Sequence, residues 1–160
     1  MEDFDYIVTT QGDTLRFELN TSVQRPVDEV FAFMTHGENN PKWELEIVDA
    51  RQLTEGPPRV GTRWSYVRRF PGLGIKVRTI SEIIEYELNQ KWVVTSAVGS
   101  SSMAVKFTVL FEPVNGCTKL HFILVEQAAG LFRLMFPLQK YMFKKQAPIN
   151  FSKLKELLEA

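Results

Sequence analysis

The sequence has one cysteine, Cys117, and two histidines, His36 and His121, among its 160 residues. One thiol cannot form an internal disulfide, so nothing indicates an oxidising compartment. Metal sites need clustered histidine, cysteine or carboxylate ligands, and two histidines far apart in the chain do not supply such a cluster. Cys117 lies in a predicted hairpin turn, which gives no sign of a nucleophilic triad. We therefore predict no metal, no cofactor and no catalytic residue of these kinds.

An excess of charge and a long apolar run are also absent. Lys+Arg and Asp+Glu each number 19, for a formal net charge of 0, so no overall field favours nucleic acid as a partner. No stretch approaches the roughly 18 consecutive apolar residues of a membrane span. The first residues are acidic and precede no apolar run, unlike a signal peptide. We predict a cytoplasmic protein, and the sequence leaves its oligomeric state open.

Residues 15–126 are patterned almost entirely as strands. Apolar and polar residues alternate along them, most clearly between Met103 and Phe111, and Gly, Pro and Asn separate one strand from the next. Because the links are short, the strands should form an antiparallel meander. Residues 1–14 show no clean periodicity and are predicted to be an N-terminal arm or a frayed edge segment. Residues 15–160 then form a single domain.

Helical spacing is confined to a few segments. Val27, Val30, Phe31 and Met34 predict a short amphipathic helix, and one further helical turn should end near Trp43. After Gly130 the spacing becomes helical as far as residue 160, in a segment long enough to cross the whole sheet. Proline inside a helix removes one N–H and crowds the preceding turn, so Pro148 predicts a kink or a break at residues 146–149.

This order of elements and five short motifs resemble the START/polyketide cyclase-like superfamily, also called SRPBCC or Bet v 1-like, and within it the polyketide cyclase/dehydrase type. The motifs are the "a-P-x-e-x-V-w/f-x-f" start at residues 25–33, the "x-x-P-x-W" turn at 40–43, the "v-G-t-r-w/v" strand at 60–64, the "g-G-T-x-l" turn at 116–120 and the "L-k-x-l-l-E" end at 154–159. Cys117 replaces the common second glycine of the fourth motif, and Pro148 is unusual in the last helix.

The resemblance covers roughly residues 15–160 and implies an α+β helix-grip fold. In that fold a seven-stranded curved antiparallel sheet wraps around a long C-terminal helix, with two short helices between strands 1 and 2. The resemblance also implies a cavity between sheet and helix that accommodates lipids, polyketides or other apolar and aromatic molecules. The motifs are structural and bring no catalytic residue with them.

Large, mostly uncharged side chains should line such a cavity, with a few polar groups that orient a ligand. The candidates are Trp43, Trp64, Tyr66, Arg68, Phe70, Trp92, Ser96, Met103, Phe107, Phe122, Met135 and Tyr141. Strand alternation makes Arg68 the one basic side chain near this turn that is directed inward. For these basic residues we favour solvated cross-strand charges, and Arg68 as a polar anchor for a ligand is the alternative hypothesis. A core filled to native density is the alternative for the whole set.

We predict that the protein binds a small hydrophobic molecule. A cyclase/dehydratase-like enzyme is the first alternative, but inward-facing carboxylates are scarce and only Tyr66 or Tyr141 with Arg68 offers a constellation for it. A ligand-independent protein-interaction module is the second alternative. Residues 132–145 are basic and rich in aromatic residues. We favour a core helix with a basic outer edge there over a helix that makes peripheral contact with a membrane.

Overall fold

In the part of the chain that the structure describes, eight strands form one antiparallel sheet, and the last helix packs across it. The computed structural model describes residues 4–69, 74–97 and 103–160. The strands are β1 (Asp5–Gln11), β2 (Thr14–Val23), β3 (Ile47–Gln52), β4 (Arg63–Arg69), β5 (Lys76–Glu87), β6 (Lys91–Ala97), β7 (Met103–Val114) and β8 (Cys117–Ala128). The α-helices are α1 (Val27–Thr35), α2 (Asn40–Trp43) and α3 (Phe136–Glu159), and 3₁₀ segments cover Gly37–Asn39 and Gly130–Met135.

The strand order is β1-β2-β8-β7-β6-β5-β4-β3. Consecutive strands from β3 to β8 are therefore neighbours in the sheet, as the short turns predict, and the crossing from β2 to β3 carries α1 and α2. The β7–β8 hairpin turns at Asn115 and Gly116, whose φ angles of 51° and 79° require residues that tolerate the left-handed region. This turn sets Val114 opposite Cys117 and so fixes the register of β7 against β8.

The helix-grip architecture predicted from the sequence is confirmed, with one strand more than expected. Residues 5–11, predicted as part of an arm, form β1 and pair with β2 from Asp5↔Asn20 to Gln11↔Thr14. The pattern is hard to detect because β1 is an edge strand whose residues are all at least partly exposed. With so little apolar burial, its alternation between faces is weak.

Helix α3 covers the concave side of the sheet through aromatic contacts. Phe143 stacks on Phe17 of β2 with ring centroids 5.3 Å apart, and Phe151 meets Phe122 of β8 edge-on at 5.4 Å. At the far end of α3, Arg25 donates to the carbonyl oxygen of Leu158. A cation at this position complements the negative end of the helix dipole, so the end of β2 holds the last turn of α3 in place.

Of the kink or break predicted at residues 146–149, the break is wrong, because α3 continues through Pro148 from residue 136 to residue 159. The kink stays a prediction. Proline removes the amide that would bind the carbonyl of Lys144. Lys144 is exposed, so water can replace the missing donor there. The packing of Ala147, Phe151 and Leu154 against the core holds the helix on both sides of the proline.

Candidate functional site

A cavity of about 220 Å³ lies between the concave face of the sheet and α3. Its wall is mainly aromatic, and the aromatic side chains are Phe17, Trp43, Phe107, Phe122, Phe143 and Phe151. Thr79 of β5 and Ser96 of β6 also line it. These short side chains stand at inward positions where a large apolar residue would fill the space. The cavity therefore lies where two central strands present the small side chains of Thr79 and Ser96 to α3.

One end of the cavity carries a cluster of charged and amide groups. Arg68 Nη1 lies 3.5 Å from Glu44 Oε2 and 3.9 Å from Glu46 Oε1. Asn150 of α3 donates to Glu46 Oε2 at 2.9 Å, and its own Oδ1 accepts from the backbone N–H of Leu45 at 3.2 Å. The segment between α2 and β3, strand β4 and helix α3 thus meet in one polar network. We call Glu44, Glu46, Arg68 and Asn150 the Arg68 cluster.

Burial at the Arg68 cluster changes the pKa of Glu44 and of the neighbouring Tyr66. Burial raises the pKa of Glu44 to about 7, since the charge of Arg68 offsets only part of the desolvation and the charge of Glu46 adds to it. Burial also raises the pKa of Tyr66, whose ring lies under the Arg68 guanidinium with 5.8 Å between its centroid and Cζ. Glu44 can therefore exchange a proton near neutral pH while it faces an apolar cavity.

A second polar pair lines the cavity at a different level. Glu126 of β8 is only 2 % exposed, and its Oε1 accepts from Gln139 Nε2 at 2.8 Å. Burial raises the pKa of Glu126, and the hydrogen bond from Gln139 opposes that rise. Gln139 and Asn150 lie eleven positions apart on α3, which corresponds to about 16 Å along the helix axis. The two polar groups therefore stand at separate ends of the apolar wall.

Three polar atoms of cavity-lining residues are buried and have no hydrogen-bond partner among the described residues. They are Trp43 Nε1, Thr79 Oγ1 and Gln139 Oε1. Buried polar groups are nearly always paired with protein or water, so an unpaired donor and acceptor in one cavity need an explanation. Polar groups of a bound molecule, or water, would supply the missing partners.

The structure places five of the predicted residues in the cavity wall: Trp43, Arg68, Ser96, Phe107 and Phe122. Their contact with a ligand stays a prediction. Phe70 lies outside the described residues, and so does the side chain of Met103.

Three other predicted lining residues are buried elsewhere. Trp64 and Tyr66 stack on each other, with ring centroids 6.3 Å apart, in a separate cluster with Ile47. They do face inward, but the 3₁₀ turn at Gly37 covers them before the cavity begins. Trp92 packs into the main hydrophobic core and does not line the cavity.

The prediction that Met135 and Tyr141 face the cavity is wrong. Met135 is 40 % exposed and Tyr141 is 62 % exposed. Met135 belongs to the 3₁₀ segment before α3. Tyr141 has helical spacing, but α3 uses the face of Phe143 and Ala147 against the sheet, and residue 141 lies on the far side of the helix.

The expectation that inward-facing carboxylates are scarce also needs correction, because Glu44, Glu46 and Glu126 all line the cavity. Alternation along β8 could have revealed Glu126, since it follows Phe122 and Leu124 at every second position. Glu44 and Glu46 both lie in the short segment that connects α2 to β3, which has no periodic pattern. Their inward orientation depends on tertiary contacts with Arg68 and Asn150, which no local signal reports.

Both histidines lie away from the cavity. His36 Nδ1 lies 3.0 Å from the carbonyl oxygen of Ala32, and His121 Nε2 lies 3.5 Å from Glu18 Oε1. Within residues 4–69, 74–97 and 103–160, no three His, Cys, Asp or Glu side chains are grouped so that they could hold a metal ion. In the same ranges, no helix has the length and apolar character required to cross a lipid bilayer.

The sheet, the long helix and the cavity between them define a Bet v 1-like helix-grip protein. The chain belongs to the family described as polyketide cyclase / dehydrase and lipid transport, whose model matches residues 14–159. No curated protein matches the chain significantly.

Several solved structures share the fold at low sequence identity. A protein from Thermus thermophilus is 16% identical with a TM-score of 0.71, over 88% of this chain and 94% of that one. A protein from Arthrobacter aurescens is 16% identical with a TM-score of 0.71, over 96% and 91% of the two chains. The protein Ara h 8.0201 is 17% identical with a TM-score of 0.67, over 91% and 97%.

Proposed function

We propose that the protein binds a small, mainly apolar molecule in the cavity between the sheet and α3. The observation that carries this proposal is the unfilled space of about 220 Å³ within an aromatic wall, with polar groups at two separate ends. Ligand sites typically combine an apolar lining with a few placed polar groups. Trp43 Nε1 and Thr79 Oγ1 are buried in this wall without a partner among the described residues and could bind polar groups of such a molecule.

The size of the cavity restricts the ligand. Drug-sized molecules occupy pockets of about 300–1,000 Å³, whereas an apolar cavity of about 150 Å³ holds a single benzene. A volume of about 220 Å³ lies between these. The proposed ligand therefore has one or two rings, or a short acyl chain, and is smaller than a sterol or a two-chain lipid.

The Arg68 cluster favours a neutral polar group on that ligand. Arg68 already lies beside two carboxylates, Glu44 and Glu46. A ligand carboxylate would have to displace one of them or bring a third acid into a desolvated site, which is unfavourable. A hydroxyl or carbonyl can bind to Arg68 or Glu44 without adding charge.

Calorimetric titration with 2-naphthol, a neutral two-ring alcohol, tests the proposal. We expect saturable binding that Ser96→Leu weakens by roughly tenfold or more, since forcing extra methylenes into a packed site costs about 1–3 kcal/mol. The matched control is Thr95→Leu, because Thr95 is the preceding residue of β6 and faces the opposite side of the sheet. Equal affinities for the two variants would refute cavity binding. Unchanged affinity in Arg68→Leu would refute its role as polar anchor.

Native mass spectrometry of protein purified without delipidation provides a second measurement. We expect a bound mass in the range of a neutral one-ring or two-ring molecule, or of a short acyl chain that ends in a hydroxyl or carbonyl group. Loss of that mass in Ser96→Leu, with retention in Thr95→Leu, would locate it in the cavity. The proposal would be contradicted if the purified protein contains no bound molecule and also does not bind 2-naphthol.

A cyclase/dehydratase-like enzyme is the second candidate, and Glu44 is the observation that favours it. Its pKa of about 7 suits a general acid or base at neutral pH, and it lies beside Arg68 at the cavity wall. For an enzyme of this kind we expect turnover of a polyketide mimic with a rate that changes around pH 7 and falls in Glu44→Gln. Binding without turnover leaves the ligand-binding proposal intact and rejects this one.

A further inference from the structure

The segment that leads into α3 exposes an unusual amount of apolar surface. Six large hydrophobic residues between positions 131 and 141 are exposed: Leu131, Phe132, Leu134, Met135, Leu138 and Tyr141. We call these six residues the outer face. Two of them, Leu131 and Leu134, are 81% and 71% exposed. Single exposed hydrophobic residues are normal on a protein surface, but a cluster of six within eleven positions is typical of an interaction surface.

The position of the outer face follows from the way α3 packs. The helix turns Phe136, Phe143 and Ala147 toward the core. Leu138 and Tyr141 project from the opposite side at helical spacing. The sheet therefore uses one apolar stripe of α3, and the second stripe has no apolar partner among the described residues.

The charge around the outer face has a single sign. Between Glu126 and Glu156 the chain has no acidic residue, although its overall net charge is 0. The same stretch carries six basic residues: Arg133, Lys140, Lys144, Lys145, Lys153 and Lys155. Among the residues that the structure describes, the first four of these form no ion pair with a carboxylate. Their positive charge is therefore available to a partner.

We propose that the outer face docks on the surface of an anionic lipid bilayer. Apolar side chains flanked by lysine and arginine are typical of segments that lie in a bilayer interface and are attracted by anionic headgroups. A second copy of the chain fits less well. A two-fold interface brings the same patch of each copy together, so Lys140, Lys144 and Lys145 would face their own positive charges.

This docking would place the cavity close to the bilayer. Gln139, Met142 and Phe143 line the cavity and belong to the same turns of α3 as Leu138 and Tyr141. The surface and the proposed ligand site thus share one stretch of helix. The membrane contact itself does not depend on ligand binding, so each can fail separately.

Vesicle co-sedimentation tests the proposal. The full chain is mixed with vesicles of phosphatidylcholine alone, or with vesicles of phosphatidylcholine containing about 30 % phosphatidylglycerol, at low salt and at about 0.5 M NaCl. We expect binding to the anionic vesicles, weakened by salt because the headgroup attraction is screened. Lys144→Gln with Lys145→Gln should lower the partition coefficient by about 25-fold, since each basic residue near the surface contributes about fivefold.

Apolar variants and matched controls complete the test. Leu131→Gln with Leu134→Gln should lower partition by roughly tenfold or more, and both side chains are exposed enough that folding should be unaffected. The apolar control is Leu88→Gln, which is 67% exposed in the turn after β5. The charge control is Lys106→Gln with Lys119→Gln, on the exposed sides of β7 and β8. Circular dichroism checks that all variants keep their secondary structure.

The outcomes separate the occupants of the outer face. Binding to anionic vesicles that the outer-face variants weaken and the control variants preserve supports membrane docking. Absence of binding, or equal weakening by outer-face and control variants, overturns it. Sedimentation velocity provides the test for self-association. A dimer that Leu131→Gln with Leu134→Gln dissolves, in a protein that does not bind vesicles, assigns the face to a second copy and overturns the proposal.

Discussion

Replacing Glu44 by glutamine removes one ionisable group from the Arg68 cluster and keeps the shape of the side chain. Glu44 is largely buried, with 16% of its side chain exposed, and Arg68 is its nearest cation at 3.5 Å. Burial dominates over that attraction and raises the pKa of Glu44 from 4.5 to about 7. The substitution therefore measures how much the ionised Glu44 carboxylate lowers the free energy of unfolding.

The expected effect depends on pH in a definite direction. Below about pH 4.5 the carboxyl is protonated in both the folded and the unfolded chain and contributes nothing to the difference. Between pH 4.5 and 7 it is ionised only in the unfolded chain, so rising pH favours unfolding. Above pH 7 the penalty is complete, and a pKa raised from 4.5 to about 7 corresponds to roughly 3 kcal/mol.

Urea unfolding followed by tryptophan fluorescence at pH 4.5, 6, 7 and 8 gives the free energy of unfolding for each protein. We expect Glu44→Gln to match the wild type near pH 4.5 and to exceed its stability by up to about 3 kcal/mol at pH 8. Burial raises the pKa of Glu126 as well, but that residue is present in both proteins and cancels in the difference.

The control for this prediction is Glu38→Gln, an exposed carboxylate in the 3₁₀ turn before α2. Its effect on stability should stay within about 0.5 kcal/mol, as for most surface substitutions. A stability difference between Glu44→Gln and wild type that is constant from pH 4.5 to 8, or that falls as the pH rises, would refute the reasoning. It would mean that Arg68 compensates the buried charge in full.

Two further substitutions test the packing around the cavity. Gly37→Ala would bring a methyl group to 2.5 and 2.7 Å from ring atoms of Trp64, so we expect the free energy of unfolding to fall by about 1–3 kcal/mol. The control is Glu38→Ala, and an equal or larger loss in this control would contradict the contact. Asn150→Ala leaves the N–H of Leu45 without its acceptor and should lower the free energy of unfolding by about 1–3 kcal/mol in the same urea assay. Ile149→Ala, which changes the exposed neighbouring residue, should lower it less. Equal losses would show that the bond between α3 and Leu45 is unimportant for stability.

The fold could be predicted largely because its signals are local. The alternation from Met103 to Phe111, the turn at Asn115 and Gly116, and the change of period after Gly130 each reflect the geometry of one element. The exception is β1, where an edge position removes the burial that makes alternation visible. The predicted break at Pro148 is wrong for a different reason, since a rule for isolated helices does not include the tertiary packing that holds α3 together across the proline.

The candidate site could be predicted only in part, because its geometry depends on contacts between distant segments. Phe107 and Phe122 follow from strand alternation, and the structure places both in the cavity wall. The prediction for Tyr141 is wrong because helical spacing gives two candidate faces and does not say which one meets the sheet. Glu44 could not be predicted from the sequence, because its burial results from contacts among three distant segments. No pattern within residues 40–46 indicates that burial.

The hydrogen bond from Arg25 to the carbonyl of Leu158 makes the two ends of α3 unequal. The last turn is tied to the end of β2, and the backbone N–H of Gln24 adds a bond to the Glu159 side chain at 2.8 Å. The first turn has no side-chain cap and follows an exposed 3₁₀ segment. The backbone of α3 is therefore tied to the end of β2 at its C-terminus, whereas its N-terminal half is held by side chains such as Phe136 and Gln139.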